Sequence, residues 1–128
     1  MTDRRTFAVP FDAGPEGASI ARCHVRQLLV GEPETLICDA VMATSELVTN
    51  AIVHGRSPRC VEGSFDPHHR LLHVMVADGS GVLPAVVAKR ALGAGGLGLH
   101  IVSSLASDWG ARLVDGDTQV WFTIDDRR

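Results

Sequence analysis

Apolar residues follow two rhythms along the chain. Between residues 16 and 30, Ile20, Cys23/His24, Gln27/Leu28 and the pair Leu29-Val30 recur at helical spacing, and Gly31 with Pro33 beyond it stops the run. A second helix is predicted over residues 34–54. Its stripe of Val41, Thr44, Leu47, Val48, Ala51 and Ile52 packs on a core, and Gly55 ends it, since glycine turns left-handed without a Cβ clash. These two helices are expected to pair antiparallel. Shorter runs over residues 6–11, 59–65, 71–77, 109–114 and 119–124 read as strands. Pro10 confines the first to an edge or an end, whereas Leu71 to Ala77 is nearly all apolar and suits a central strand. Asp66-Pro67-His68-His69-Arg70 reads as a hairpin loop, and Asp115-Gly116-Asp117-Thr118 links the last two strands. Residues 82–94 hold Pro84 and keep no clean period, which predicts a loop with a helical turn near 86–90. Gly93-Ala94-Gly95-Gly96-Leu97-Gly98 then leads into a helix over 99–107, with Leu99, Val102, Leu105 and Ala106 on its buried face. The expected fold is α+β, a two-layer α/β sandwich in which helices cover one face of a mixed, mostly antiparallel sheet. Residues 1–128 form one domain.

Composition narrows the partners. A chain of 128 residues buries a real core without staples. Its 45% hydrophobic and 21% charged residues are ordinary for a soluble protein, and no segment approaches the ~18 consecutive apolar residues of a membrane span. The first six residues carry charge with no apolar run behind them, so no secretory signal is read and a cytoplasmic location is expected. Cys23, Cys38 and Cys60 are odd in number and widely separated, which argues against a disulfide framework or a zinc site. A net charge of −3, aromatic content of 5% and the absence of tyrosine argue against direct nucleic-acid binding.

Three stretches carry candidate chemistry. Glu46 and Asn50 stand four residues apart, so the second helix projects a carboxylate and a carboxamide from one face. Asp78 closes the central strand before Gly79-Ser80-Gly81. The glycine-rich run before Leu99 feeds a helix N-terminus, whose unpaired N–H groups and positive dipole end suit phosphate. Singly, these features are also met as a solvated helix face and an ordinary flexible loop.

Together they resemble a known family. Glu46-Leu47-Val48-Thr49-Asn50-Ala51 with His54-Gly55, then Val76-Ala77-Asp78-Gly79-Ser80-Gly81, then Gly96-Leu97-Gly98-Leu99-His100-Ile101-Val102 are similar, in order and spacing, to the N, G1 and G2 boxes of the GHKL ATPases. That family shares the Bergerat-type ATP-binding fold of histidine kinases, gyrase B and MutL. The short chain and the wording of the first box resemble its anti-sigma factor serine kinase branch, the RsbW and SpoIIAB type, from about Gly14 to Ile124. The resemblance implies ATP and magnesium as cofactors, with Asn50 giving its amide oxygen to the ion. It implies that Asp78 accepts a hydrogen bond from the adenine amine, which favours ATP over GTP. Ser80, Gly81, Gly95, Gly96, Leu97, Gly98, Leu99 and Thr118 are implied as further ATP-binding residues, Thr118 from a turn at the adenine end. Glu46 matches the general base that takes a proton from an attacking serine hydroxyl during γ-phosphoryl transfer.

The implied function is an anti-sigma factor that is also a serine/threonine kinase toward an anti-sigma factor antagonist. Its implied partners are a sigma factor, that antagonist and a second copy in a homodimer. The alternative is an ATP-binding interaction module that phosphorylates nothing. One departure touches the site: Ser80 stands where the commoner G1 box has glycine, which alters the expected backbone path. His68 and His69 in a hairpin turn, with His73 beyond, do not suggest the convergent geometry of a metal site. His54 is expected to stabilise the C-terminal carbonyls of its helix.

Overall fold

The computed structural model describes residues 3–83 and 97–127. The predicted loop beyond residue 83, its turn near 86–90, and Gly95 and Gly96 lie outside the described residues. Within them the chain runs β1 (Arg5–Pro10), α1 (Glu16–Leu28), α2 (Glu34–Val53), β2 (Cys60–Asp66), β3 (Leu71–Asp78), α3 (Leu97–Leu105), β4 (Asp108–Val114) and β5 (Asp117–Asp125). The sheet order is β1-β2-β3-β5-β4, which puts the apolar β3 at the centre and β1, ending at Pro10, on an edge. The sequence pattern allowed a mixed sheet. All four pairings among the described residues are antiparallel, because hairpins join β2 to β3 and β4 to β5, and β3 pairs with β5 beyond α3.

Alternation along the strands decides which face is buried. Leu72, Val74 and Val76 of β3, Val61 and Phe65 of β2, and Val120, Phe122 and Ile124 of β5 form the floor of the core. α2 crosses that floor with nine buried residues, from Leu36 to Ala51, too wide a stripe for one contact. It is flanked by α1 and α3 as well as by the sheet. By length and composition α2 could span a membrane (20 residues, mean hydropathy 1.5), yet half of that stretch is buried inside the fold. α1 ends at Leu28, two residues before the predicted end, because the chain turns through Gly31 at φ +89° and Glu32 N–H donates to Leu29 O at 3.0 Å.

At the β2–β3 hairpin end, Arg5 and Arg70 both pair with Glu32, and Arg70 also donates to Asp126 Oδ2 at 2.8 Å. The two guanidinium groups lie over the Phe65 ring, 5.6 and 5.4 Å from its centre. This network joins the α1–α2 connection, the hairpin and the end of β5.

Candidate functional site

The other end of β3 is built differently. Asp78, the last residue of β3, is only 8% exposed. Its Oδ1 accepts the backbone N–H of Ser80 at 2.7 Å and that of Arg56 at 3.4 Å. Arg56 lies in the connection that leaves α2, and Gly79 N–H donates back to Arg56 O at 2.7 Å. The turn after β3 is thereby strapped to the end of α2.

Two glycines permit this approach. A Cβ on Gly55 would stand 2.6 Å from Asp78 Cγ and 2.8 Å from its Oδ2, and one on Gly79 would stand 2.5 Å from Ser57 O. Both contacts are closer than side chains tolerate. The carboxylate thus sits with one oxygen fixed by two amides and the other against bare glycine backbone. That leaves Oδ2 as an acceptor for a donor group of matching shape.

α2 supplies Glu46 and Asn50 one turn apart on a half-buried face. Neither side chain has a hydrogen-bond partner among the described residues. An unengaged carboxamide oxygen is the kind of group that can serve as one of the few protein ligands of a hard cation. Arg59 caps the C-terminal end of α2, donating to Ala51 O at 2.7 Å and to Gly55 O, just past the helix, at 3.1 Å. The cation expected from His54 is therefore Arg59 instead, since the chain doubles back and brings residue 59 under the helix end. His54 makes the backbone cap, its N–H donating to Asn50 O at 2.8 Å.

Thr118 was expected in a turn and lies in β5. The β4–β5 turn needs only Asp115 and Gly116, both at positive φ (51° and 84°), so the strand already begins at Asp117. Thr118 is consequently the cross-strand neighbour of Asp78 and is 1% exposed. Its Oγ1 donates to Val82 O at 3.0 Å and lies 3.2 Å from Ser80 Oγ. Gly81 takes φ +68°, and a Cβ there would meet Gly116 O at 3.0 Å.

Structure thus brings Asp78, Ser80, Gly81 and Thr118 together beside the end of α2. Leu97 and Gly98 open α3, two residues earlier than predicted, and Leu99 is buried. α3 packs along α2, the helix that carries Glu46 and Asn50. Arg56 and Arg59 were not foreseen as parts of the site, and Gly55 and Gly79, though inside the quoted boxes, were given no role in it. Gly55 reads as a helix stop and as part of the first box, but nothing in the linear pattern shows that it meets a carboxylate 23 residues on.

Two of the three histidines weighed for a metal are engaged elsewhere. His69 Nδ1 contacts Asp66 Oδ2 at 2.8 Å, and His73 stacks on Trp121 at 6.0 Å between ring centres on the sheet face away from the helices. Burial, and to a lesser degree the Arg112 charge, push the His73 pKa down.

A family model described as "Histidine kinase-like ATPase domain" matches residues 11–124. Among solved structures, the chain is similar to the crystal structure of the RsbU and RsbW domains of Rv1364c from Mycobacterium tuberculosis, with a TM-score of 0.70 and 23% identity. That match covers 94% of this chain and 32% of the other, so the chain spans about a third of the neighbour's length. No curated protein matches.

Proposed function

Because the chain belongs to the histidine kinase-like ATPase family, we propose that the Asp78 end of the sheet binds ATP with magnesium. We propose further that the protein is a regulator of the anti-sigma factor type, a kinase acting on a serine or threonine of an anti-sigma factor antagonist. The observation that carries the nucleotide reading is the Asp78 carboxylate: buried, held through Oδ1 by two backbone amides, and left with Oδ2 against Gly55. A fixed acceptor of this kind takes the adenine amine and rejects the carbonyl oxygen that guanine presents there. The regulatory reading is supported by the similarity to a structure that contains an RsbW domain, and by the sequence of the first box.

In this reading Asn50 contributes its oxygen to magnesium, and the backbone N–H groups that open α3 face phosphate. When bound, the ion neutralises charge on the phosphates. Glu46, one turn before Asn50, takes the proton of the attacking hydroxyl of the partner protein. Positioning carries most of the rate, since direct phosphoryl transfer asks for no covalent enzyme intermediate. The sigma factor and the antagonist would be held on a surface distinct from this pocket, in the cytoplasm, where three free cysteines suit a reducing setting. A homodimer belongs to the same reading.

Calorimetric titration with ATP and GTP, with and without magnesium, tests the pocket. Magnesium-dependent binding that excludes GTP and is lost in Asp78→Asn and Asn50→Ala is the expected result. Phosphotransfer to the antagonist should then fall about 10²–10⁴-fold in Glu46→Ala while ATP binding persists. ATP binding with no transfer by the wild-type protein would instead make the chain an ATP-binding interaction module.

A further inference from the structure

Val82 is held at both of its backbone groups by side-chain hydroxyls. Its N–H donates to Ser80 Oγ at 3.3 Å, and its carbonyl accepts from Thr118 Oγ1 at 3.0 Å. The two hydroxyls are themselves 3.2 Å apart. A hydroxyl has one proton to give and a carbonyl has none, so the Thr118 proton is spent on Val82 O. Ser80 must therefore be the donor to Thr118. The bonds close a ring with one direction of donation: Val82 N–H to Ser80, Ser80 O–H to Thr118, Thr118 O–H to Val82 C=O.

Two properties follow. First, the ring joins the turn after β3 to the start of β5, and Ser80 is also the residue whose own N–H holds Asp78 Oδ1 at 2.7 Å. Fixing the Ser80 side chain fixes the amide that aims the carboxylate. Second, both hydroxyl protons are consumed within the ring, so neither is left to donate to a ligand, and the unengaged acceptor is Asp78 Oδ2. A 6-amino purine meets that oxygen with an N–H, whereas a 6-oxo purine sets an oxygen against it.

Resting on the nucleotide reading above, we infer that Ser80 is a positioning residue: its hydroxyl closes a ring with Thr118 and Val82 and so fixes the amide that aims Asp78. Ser80 then completes this version of the turn. Restoring the glycine of the commoner box should weaken binding.

The test compares ATP with inosine triphosphate, which differs only at the 6-position, on wild type, Ser80→Ala, Ser80→Gly, Thr118→Val and Thr118→Ser. Each protein is also read by amide hydrogen exchange at Val82. Expected are a loss of about tenfold in ATP affinity and a narrowed ATP-to-inosine triphosphate ratio for Ser80→Ala, Ser80→Gly and Thr118→Val. Thr118→Ser, which keeps the hydroxyl, should stay within about twofold of wild type in both. Faster Val82 exchange should accompany every loss. Ser80, only half-buried, keeps the test alive should Thr118→Val fail to fold. Wild-type affinity and selectivity in the Ser80 variants would overturn the positioning role, and an unprotected Val82 amide in the wild-type protein would overturn the ring itself. A protected Val82 amide with no nucleotide bound by the wild type would instead be the failure of the nucleotide reading, and would withdraw the positioning role while the ring stood.

Discussion

Asp66 and Asp78 are the two buried carboxylates among the described residues, each 8% exposed and each the last residue of a strand of one hairpin. Both use Oδ1 to accept two backbone N–H groups. For Asp78 one comes from Ser80 in the turn that follows and the other from Arg56 after α2, whereas Asp66 takes both from its own turn. For Asp66 these are His68 at 2.9 Å and His69 at 3.3 Å. They differ at the second oxygen. Asp66 Oδ2 is taken by His69 at 2.8 Å, with Arg4 at 3.8 Å, whereas Asp78 Oδ2 meets Gly55. A carboxylate with both oxygens engaged by the protein has finished its work in the fold. One given a glycine for a neighbour keeps an acceptor in reserve, and the space beside it.

Asp78→Asn against Asp66→Asn is the largest test of that contrast. The isosteric amide at 78 turns one oxygen into a donor and should cost ATP affinity about a hundredfold or more. The same change at 66, at the far end of the hairpin, should leave affinity within about twofold and lower the thermal midpoint instead. Equal effects on binding would mean that the two carboxylates do not divide the labour. Next in size is Gly55→Ala, which sets a methyl against the Asp78 carboxylate. It should weaken ATP binding about tenfold and cost about 1–3 kcal/mol of stability, read by titration and urea unfolding.

The smallest effect concerns pH. The His69 ring, aided by the two turn amides, holds the Asp66 carboxyl below its ordinary value of 3.8. Asp66 therefore adds stability above that value, and the contribution is lost as pH falls through the lower, folded-state value. Urea midpoints of the wild-type protein should drop below pH ~4 more steeply than those of Asp66→Asn. Identical acid limbs would show that the pair does not contribute to stability.

How much of this could be read from the chain depends on the range of the interaction. Periodicity is local, and it located the helices and strands, the central place of β3 and the shared face of Glu46 and Asn50. The motif spacing pointed to Asp78 for the same reason. The fully antiparallel sheet was not legible, because the path between β3 and β4 does not reveal which strand β5 will join. Thr118 looked like a turn residue because Asp117 and Thr118 are polar, but two positive-φ residues at 115 and 116 already complete the reversal. Ser80 looked like a disturbance because its partners, Thr118 and Val82, are defined only after β5 pairs with β3. Gly95 and Gly96 remain readings from the sequence.

The antiparallel pairing also decides where anything attached to the chain would emerge. Arg5 pairs with Phe65 and Asp125 with Leu71, so β1 begins and β5 ends beside the same hairpin, while Asp78 closes the opposite end of β3. Over the eight residues of β3 that separation is roughly 20–25 Å. A tether, fluorophore or fused domain joined near either of those residues would leave on the far side from the carboxylate. The mouth of the site stays clear of anything attached where β1 begins or β5 ends.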